Sequence, residues 1–205
     1  MEENESKNTE LNKRISNWCE QMLSYRIPRW GELPEIELYM DQVIALMEKY
    51  LGVFYDEGNK TITPSIINNY VKLGLVPPPV KKRYSKVHLA YILIICILKQ
   101  VMPINNVIRI IEHQIHQHSI EEVYNHFCEE QERSLLSVVN NALILCNPTD
   151  ENKLEDFILR STITANSEKA ISEKMADFID AVYPSEIKDK DRETDKDKKK
   201  EKDQK

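Results

Sequence analysis

Glycine is scarce, with four in 205 residues. Sheet-rich domains need glycine-based turns at short intervals, so the shortage points to a packed, mostly α-helical protein. Cysteine is equally sparse: Cys19, Cys96, Cys128 and Cys146 stand far apart and form no CxxC pair. That spacing excludes a zinc ribbon or a dithiol redox motif and suggests reduced, mostly buried thiols. No apolar run is long enough for a bilayer. The longest, Val87 to Leu98, is interrupted by His88 and closed by Lys99, so it reads as a buried core helix. The polar, acidic start MEENESKNTE is not a secretory leader. A soluble, cytoplasmic protein without a membrane partner is expected. Catalytic motifs are missing too: there is no glycine-rich phosphate loop, no GxSxG and no HExxH. Neither an enzyme nor a cofactor is expected.

One absence is regional. The chain is acidic overall, with a formal net charge of −6, yet residues 58–111 contain no Asp or Glu. The same window holds Lys60, Lys72, Lys81, Lys82, Arg83, Lys86, Lys99 and Arg109. A basic segment focused within an acidic chain steers polyanions to one face.

The chain divides into five parts. Residues 1–10 read as disordered, and 11–37 as an N-terminal helical extension with Ile15, Trp18, Cys19, Met22 and Leu23 at helical spacing. Trp30, in the helix-breaking IPRWGELP segment, is expected to pack on a neighbouring helix. A helix then runs from about Pro34 to Leu51, and a polar loop follows over Val53–Lys60. Residues 38–116 form the central domain. Within it a strongly apolar helix follows Ser85, and after Pro103 another turns Ile104, Val107, Ile108, Ile111 and Ile115 inward. Residues 117–183 form a C-terminal helical region for dimerisation or partner binding. There Ile171, Met175, Phe178 and Val182 recur at four-three-four spacing, which suits a helix–helix seam. Residues 184–205 alternate in charge and read as a disordered tail.

The stretch Thr61–Lys86 carries the chemistry. Thr63 caps a short helix with Pro64 at its first position, and Gly74 stops it. Ile66, Ile67, Tyr70 and Val71 form its apolar back, while Ser65, Asn68, Asn69 and Lys72 form the other face. Asparagine can pair with adenine in bidentate fashion, and lysine and arginine neutralise phosphates. After Pro77-Pro78-Pro79, Val80–Tyr84 carries three consecutive cations and fits a small wing or tight ribbon, the one place where strand is expected. The candidate DNA contacts are Thr63, Ser65, Asn68, Asn69, Lys72, Lys81, Lys82, Arg83, Tyr84 and Lys86. His113 and His116 are three residues apart, as a metal pair could be, but the apolar pattern puts them on the outer side of their helix, so no metal site is expected.

The order of elements resembles the winged helix-turn-helix of the MerR superfamily over roughly residues 38–115. Tyr70, Gly74, Leu75, Val76, Pro78, Lys82, Tyr84, Leu89 and Ile92 fall on its pattern. Asn68 stands where that superfamily usually has Arg, and the wing lacks its usual Gly. The strings LPEIELYMDQV and INNYVKLGLVPPPVKKRYSKVHLAYILIICILKQV also resemble a Firmicute family of unknown function, the YkrK-like proteins. Both resemblances imply double-stranded DNA binding by a transcriptional regulator, with the 63–73 helix in the major groove and the 80–84 wing on the backbone. Two half-sites multiply affinity and specificity, so a homodimer through the C-terminal helices is expected, although the seam of Ile171, Met175, Phe178 and Val182 could equally pack back on its own domain. The rival expectation is a protein-interaction adaptor that keeps the helix-turn-helix scaffold without a DNA target.

Overall fold

A computed structural model describes residues 2–54, 62–145 and 151–183. Most of the 53–60 loop, Cys146, the Asn147–Asp150 stop and the 184–205 tail lie outside the described residues. The described residues form seven α-helices: α1 (Glu2–Ser24), α2 (Met40–Leu51), α3 (Pro64–Lys72), α4 (Lys86–Leu98), α5 (Ile104–Ile115), α6 (Ile120–Leu145) and α7 (Glu151–Val182). No helix among them is long and apolar enough to cross a membrane. The chain divides into two compact units. One contains the residues up to Glu32 together with Glu121–Lys174, and the other Leu33–Ile120 together with the residues after Lys174.

The first unit contains α1, most of α6 and the larger part of α7. Segment 1–10, expected to be disordered, is instead helical from Glu2. None of residues 6–10 is buried, but a helix once nucleated propagates cheaply, and Arg14 Nε holds Glu10 at 2.9 Å across one turn. Cys19 and Met22 turn inward, while Trp18 is exposed. The 25–32 segment is fastened to α6 by polar contacts. The Tyr124 hydroxyl donates to the Pro28 carbonyl at 2.7 Å, and the Trp30 N–H donates to Asn125 Oδ1 at 2.9 Å. The Arg29 guanidinium meets Glu132 Oε2 at 2.5 Å. Trp30 packs edge-on to Tyr124 with ring centroids 6.3 Å apart, as its size suggested. Arg26 grips both oxygens of Glu32 at 2.6 and 2.7 Å. Together with the Arg29 N–H, that grip holds the Glu32 carboxyl down at about 2.

The second unit is built on α4. Nine of its thirteen residues, His88 to Ala90 and Ile92 to Ile97, are buried. Such a helix is apolar all round and must be enclosed by neighbours. α2 packs against both α3 and α4, and α5 packs against α4. Burial pushes the Cys96 thiol up to about 12, as fits an inert core thiol. At the far end of α7, Arg109 of α5 is held by Asp180 at 3.2 Å and Asp177 at 3.9 Å. Tyr183 lies 5.4 Å from the His113 ring.

Two boundaries differ from expectation. α2 begins at Met40, not near Pro34, because Leu38 is used elsewhere. Its N–H and carbonyl exchange hydrogen bonds of 2.9 and 2.8 Å with Tyr84, so the chain at Leu38 is held in a bridge and the helix starts only after Tyr39. The expected wing contains no strand: among the described residues there are only two isolated antiparallel bridges, Leu38 with Tyr84 and Val80 with Arg83. Three proline residues before Val80 remove the backbone donors that a longer ladder would need.

Candidate nucleic-acid interface

α3 is nine residues long, too short to stand alone in water. Its ends are therefore fixed individually. Thr63 Oγ1 accepts the Ile66 N–H at 3.3 Å, and Pro64 needs no donor at the first position. Ile62 before the cap and Ile67 at the fourth helical position are both buried, in the positions of a hydrophobic staple. At the other end the Leu75 N–H donates to the Tyr70 carbonyl at 2.9 Å and the Gly74 N–H to the Val71 carbonyl at 3.1 Å. These two bonds make a Schellman stop, which needs a left-handed residue, and Gly74 supplies it with φ 78°. Tyr70 is buried and lies 5.9 Å beneath the Lys99 ammonium, so α3 is tied back to the end of α4.

With Ile67 and Tyr70 buried, Ser65, Asn68, Asn69 and Lys72 are all exposed. Their spacing of three, four and seven residues aligns them as one stripe along the helix. Thr63 is half-buried and engaged as the cap.

The second part is a four-residue turn closed by the Arg83 N–H on the Val80 carbonyl at 2.9 Å. Its central residues, Lys81 and Lys82, have φ of 50° and 62°. Positive φ at both central positions is the pattern of a type I′ turn, which normally selects Asn-Gly. Each lysine there costs about 1–2 kcal/mol relative to glycine. Both are exposed, as is Arg83. The Arg83 guanidinium lies 5.5 Å over the ring of Tyr39, which is itself half exposed.

Two expected contacts do not reach this surface. Tyr84 is 3 % exposed; its backbone pairs with Leu38, and its ring meets the His88 ring edge-on at 5.6 Å. Lys86 is directed into an ion pair with Glu35, with only 14 % of its side chain exposed. Arg109, counted among the window's cations, is engaged by Asp177 and Asp180. Conversely, Tyr39 joins the basic turn although nothing in its local sequence marks it. Only the Leu38–Tyr84 bridge brings it beside Arg83. His88, on the first turn of α4, accepts the Ser85 N–H through Nδ1 at 2.9 Å. It thereby fills the role that Glu or Gln usually takes in a capping box, and α4 starts directly behind the turn.

Among the described residues no three His, Cys, Asp or Glu side chains are grouped to hold a metal ion. Comparison with curated proteins and with solved structures gives no match. The family comparison does. Residues 28–127, which enclose both the α3 stripe and the Lys81–Lys82 turn, match a domain family described as a domain of unknown function, DUF1836.

Proposed function

We propose that this protein is a cytoplasmic transcriptional regulator that binds double-stranded DNA. In this reading α3 enters the major groove, where Asn68 and Asn69 address base edges and Ser65 and Lys72 flank them. Lys81, Lys82 and Arg83 neutralise phosphates as the wing of a MerR-like domain, in the manner of the YkrK-like proteins. The observation that carries the reading is the Lys81–Lys82 turn. Two lysines occupy left-handed positions that Asn-Gly would fill without strain, and local strain of this kind is retained where a site uses it. Two adjacent ammonium groups at the tip of a turn suit a phosphate backbone.

The protein would act as a homodimer. Ile171 in the first unit and Met175, Phe178 and Val182 in the second are each at least half exposed on α7. Pairing with a second copy would bury them and present two α3 helices to two half-sites. The same exposed residues favour a second reading, an adaptor whose α7 docks a different protein and which has no DNA target.

Duplex binding across a salt series decides between them. The regulator should bind random duplex at low salt with log affinity falling linearly in log salt, and Lys82→Ala should reduce the slope by about one. Asn68→Ala should cost about 1–3 kcal/mol on a preferred site and little on random DNA. No duplex binding at low salt sinks the regulator in favour of the adaptor.

A further inference from the structure

A cavity of about 270 Å³ lies behind the C-terminal end of α3. Its walls come from three places: Leu75 and Pro77 of the corner after α3, Tyr91 of α4, and Ile108, Ile111 and Glu112 of α5. Leu75, Ile108 and Ile111 are buried residues of the second unit, so the lining is chiefly hydrocarbon. Glu112 is its one acidic side chain and is half-buried. Tyr91 brings a phenol whose ionisation burial opposes, so it stays neutral.

We propose that this cavity binds a small organic ammonium ion, with a compact apolar body against Leu75, Ile108 and Ile111 and its charged nitrogen on Glu112. The volume is just below the range of pockets for drug-sized molecules, which restricts the body to one small ring or branched chain. Apolar walls favour such a body over water. A carboxylate offers two oxygens and several lone pairs, so Glu112 can accept an ammonium N–H alongside any other bond it makes. An anion would meet the carboxylate of Glu112 instead of a donor.

The position gives the site a consequence. Gly74, the residue that stops α3, also lines the cavity. The occupant therefore touches the corner that sets where α3 ends. On the DNA-binding reading, filling the cavity changes duplex affinity only if the occupant prefers one arrangement of that corner over another. Ligand binding itself does not depend on that reading.

The test uses the full chain without DNA and three probes of one shape: cyclohexylamine, cyclohexanol and cyclohexanecarboxylate, each titrated and followed by nuclear magnetic resonance of the α3–α5 amides. Cyclohexylamine should bind saturably and more tightly than cyclohexanol, with cyclohexanecarboxylate weakest. Glu112→Gln should weaken cyclohexylamine by about tenfold and leave cyclohexanol unchanged. Ile115→Phe, which fills the cavity from a half-buried position while keeping Glu112, should weaken both, with circular dichroism showing the helices intact. The proposal is overturned if no probe saturates, if the carboxylate binds as well as the amine, or if Glu112→Gln leaves amine affinity unchanged. A duplex titration with and without cyclohexylamine is read separately. Amine binding without duplex binding would refute the regulator and leave the cavity site standing.

Discussion

The two units are held together by different forces. In the second unit α4 is enclosed on all sides, and apolar burial dominates. In the first, Tyr124, Asn125 and Glu132 fasten the 25–32 segment through hydrogen bonds and an ion pair, while long stretches of α7 face outward. Leu159, Ile163 and Ile171 are each more than half exposed there. A unit secured by apolar burial can support strained backbone on its surface. The first unit buries Ile27, Tyr124, Cys128 and Val139 as well, but the polar contacts that fasten its 25–32 segment make that segment sensitive to proton concentration and to the loss of single hydrogen bonds. The strained Lys81–Lys82 turn lies in the second unit.

The largest expected effect sharpens that contrast. Leu93→Ala, at a fully buried position in α4, should cost about 2–5 kcal/mol in urea unfolding followed by circular dichroism. Leu159→Ala on the first-unit part of α7, 60 % exposed, should stay within about 0.5 kcal/mol under conditions where the protein is monomeric. A large cost at Leu159 would mean that this part of α7 is packed and the contrast is mistaken.

Next comes the turn. Replacing Lys81 with Asn and Lys82 with Gly should raise stability by about 1–2 kcal/mol, because the new residues accept positive φ readily. The same double change should lower the salt slope of duplex binding by about two. Greater stability with unchanged DNA affinity would dissociate the strained turn from any phosphate contact.

In the first unit, Tyr124→Phe removes the donor to the Pro28 carbonyl and should cost about 1 kcal/mol. Tryptophan fluorescence reads this unit selectively, since Trp18 and Trp30 are the chain's only two tryptophans and both lie in it. The smallest effect is the acid response. Glu32 ionises near 2 in the fold against 4.5 ordinarily, so its stabilising contribution is present above about pH 4.5 and disappears as pH falls toward 2. Glu32→Gln should flatten the change in Trp30 emission across that window. An unchanged profile would show that the Arg26–Glu32 grip does not secure the segment.

Much of the second unit was legible from sequence. The Thr63–Pro64 start and Gly74 stop of α3 follow from local chemistry: a side-chain acceptor, a missing N–H and a left-handed residue. The polar stripe of Ser65, Asn68, Asn69 and Lys72 follows from helical period alone. The burial of Leu89, Ile92, Leu93, Cys96 and Ile97 follows from an apolar run too short for a membrane. Polar helix is harder to read, and the first turns of α1 went unseen because a helix without an apolar face has no periodic signal. What local sequence could not reveal was every feature that depends on a partner distant in the chain. Leu38 and Tyr84 are far apart in sequence, and their mutual hydrogen bonds shorten α2, bury the Tyr84 ring and bring Tyr39 under Arg83. Lys86 was one more cation in an acid-free window until Glu35, outside that window, paired with it. Composition and period determined which helices form, which faces turn inward and where the basic charge lies. Tertiary structure alone decided which of those cations remain exposed, because ion pairing and burial depend on distance in space, which sequence separation does not encode.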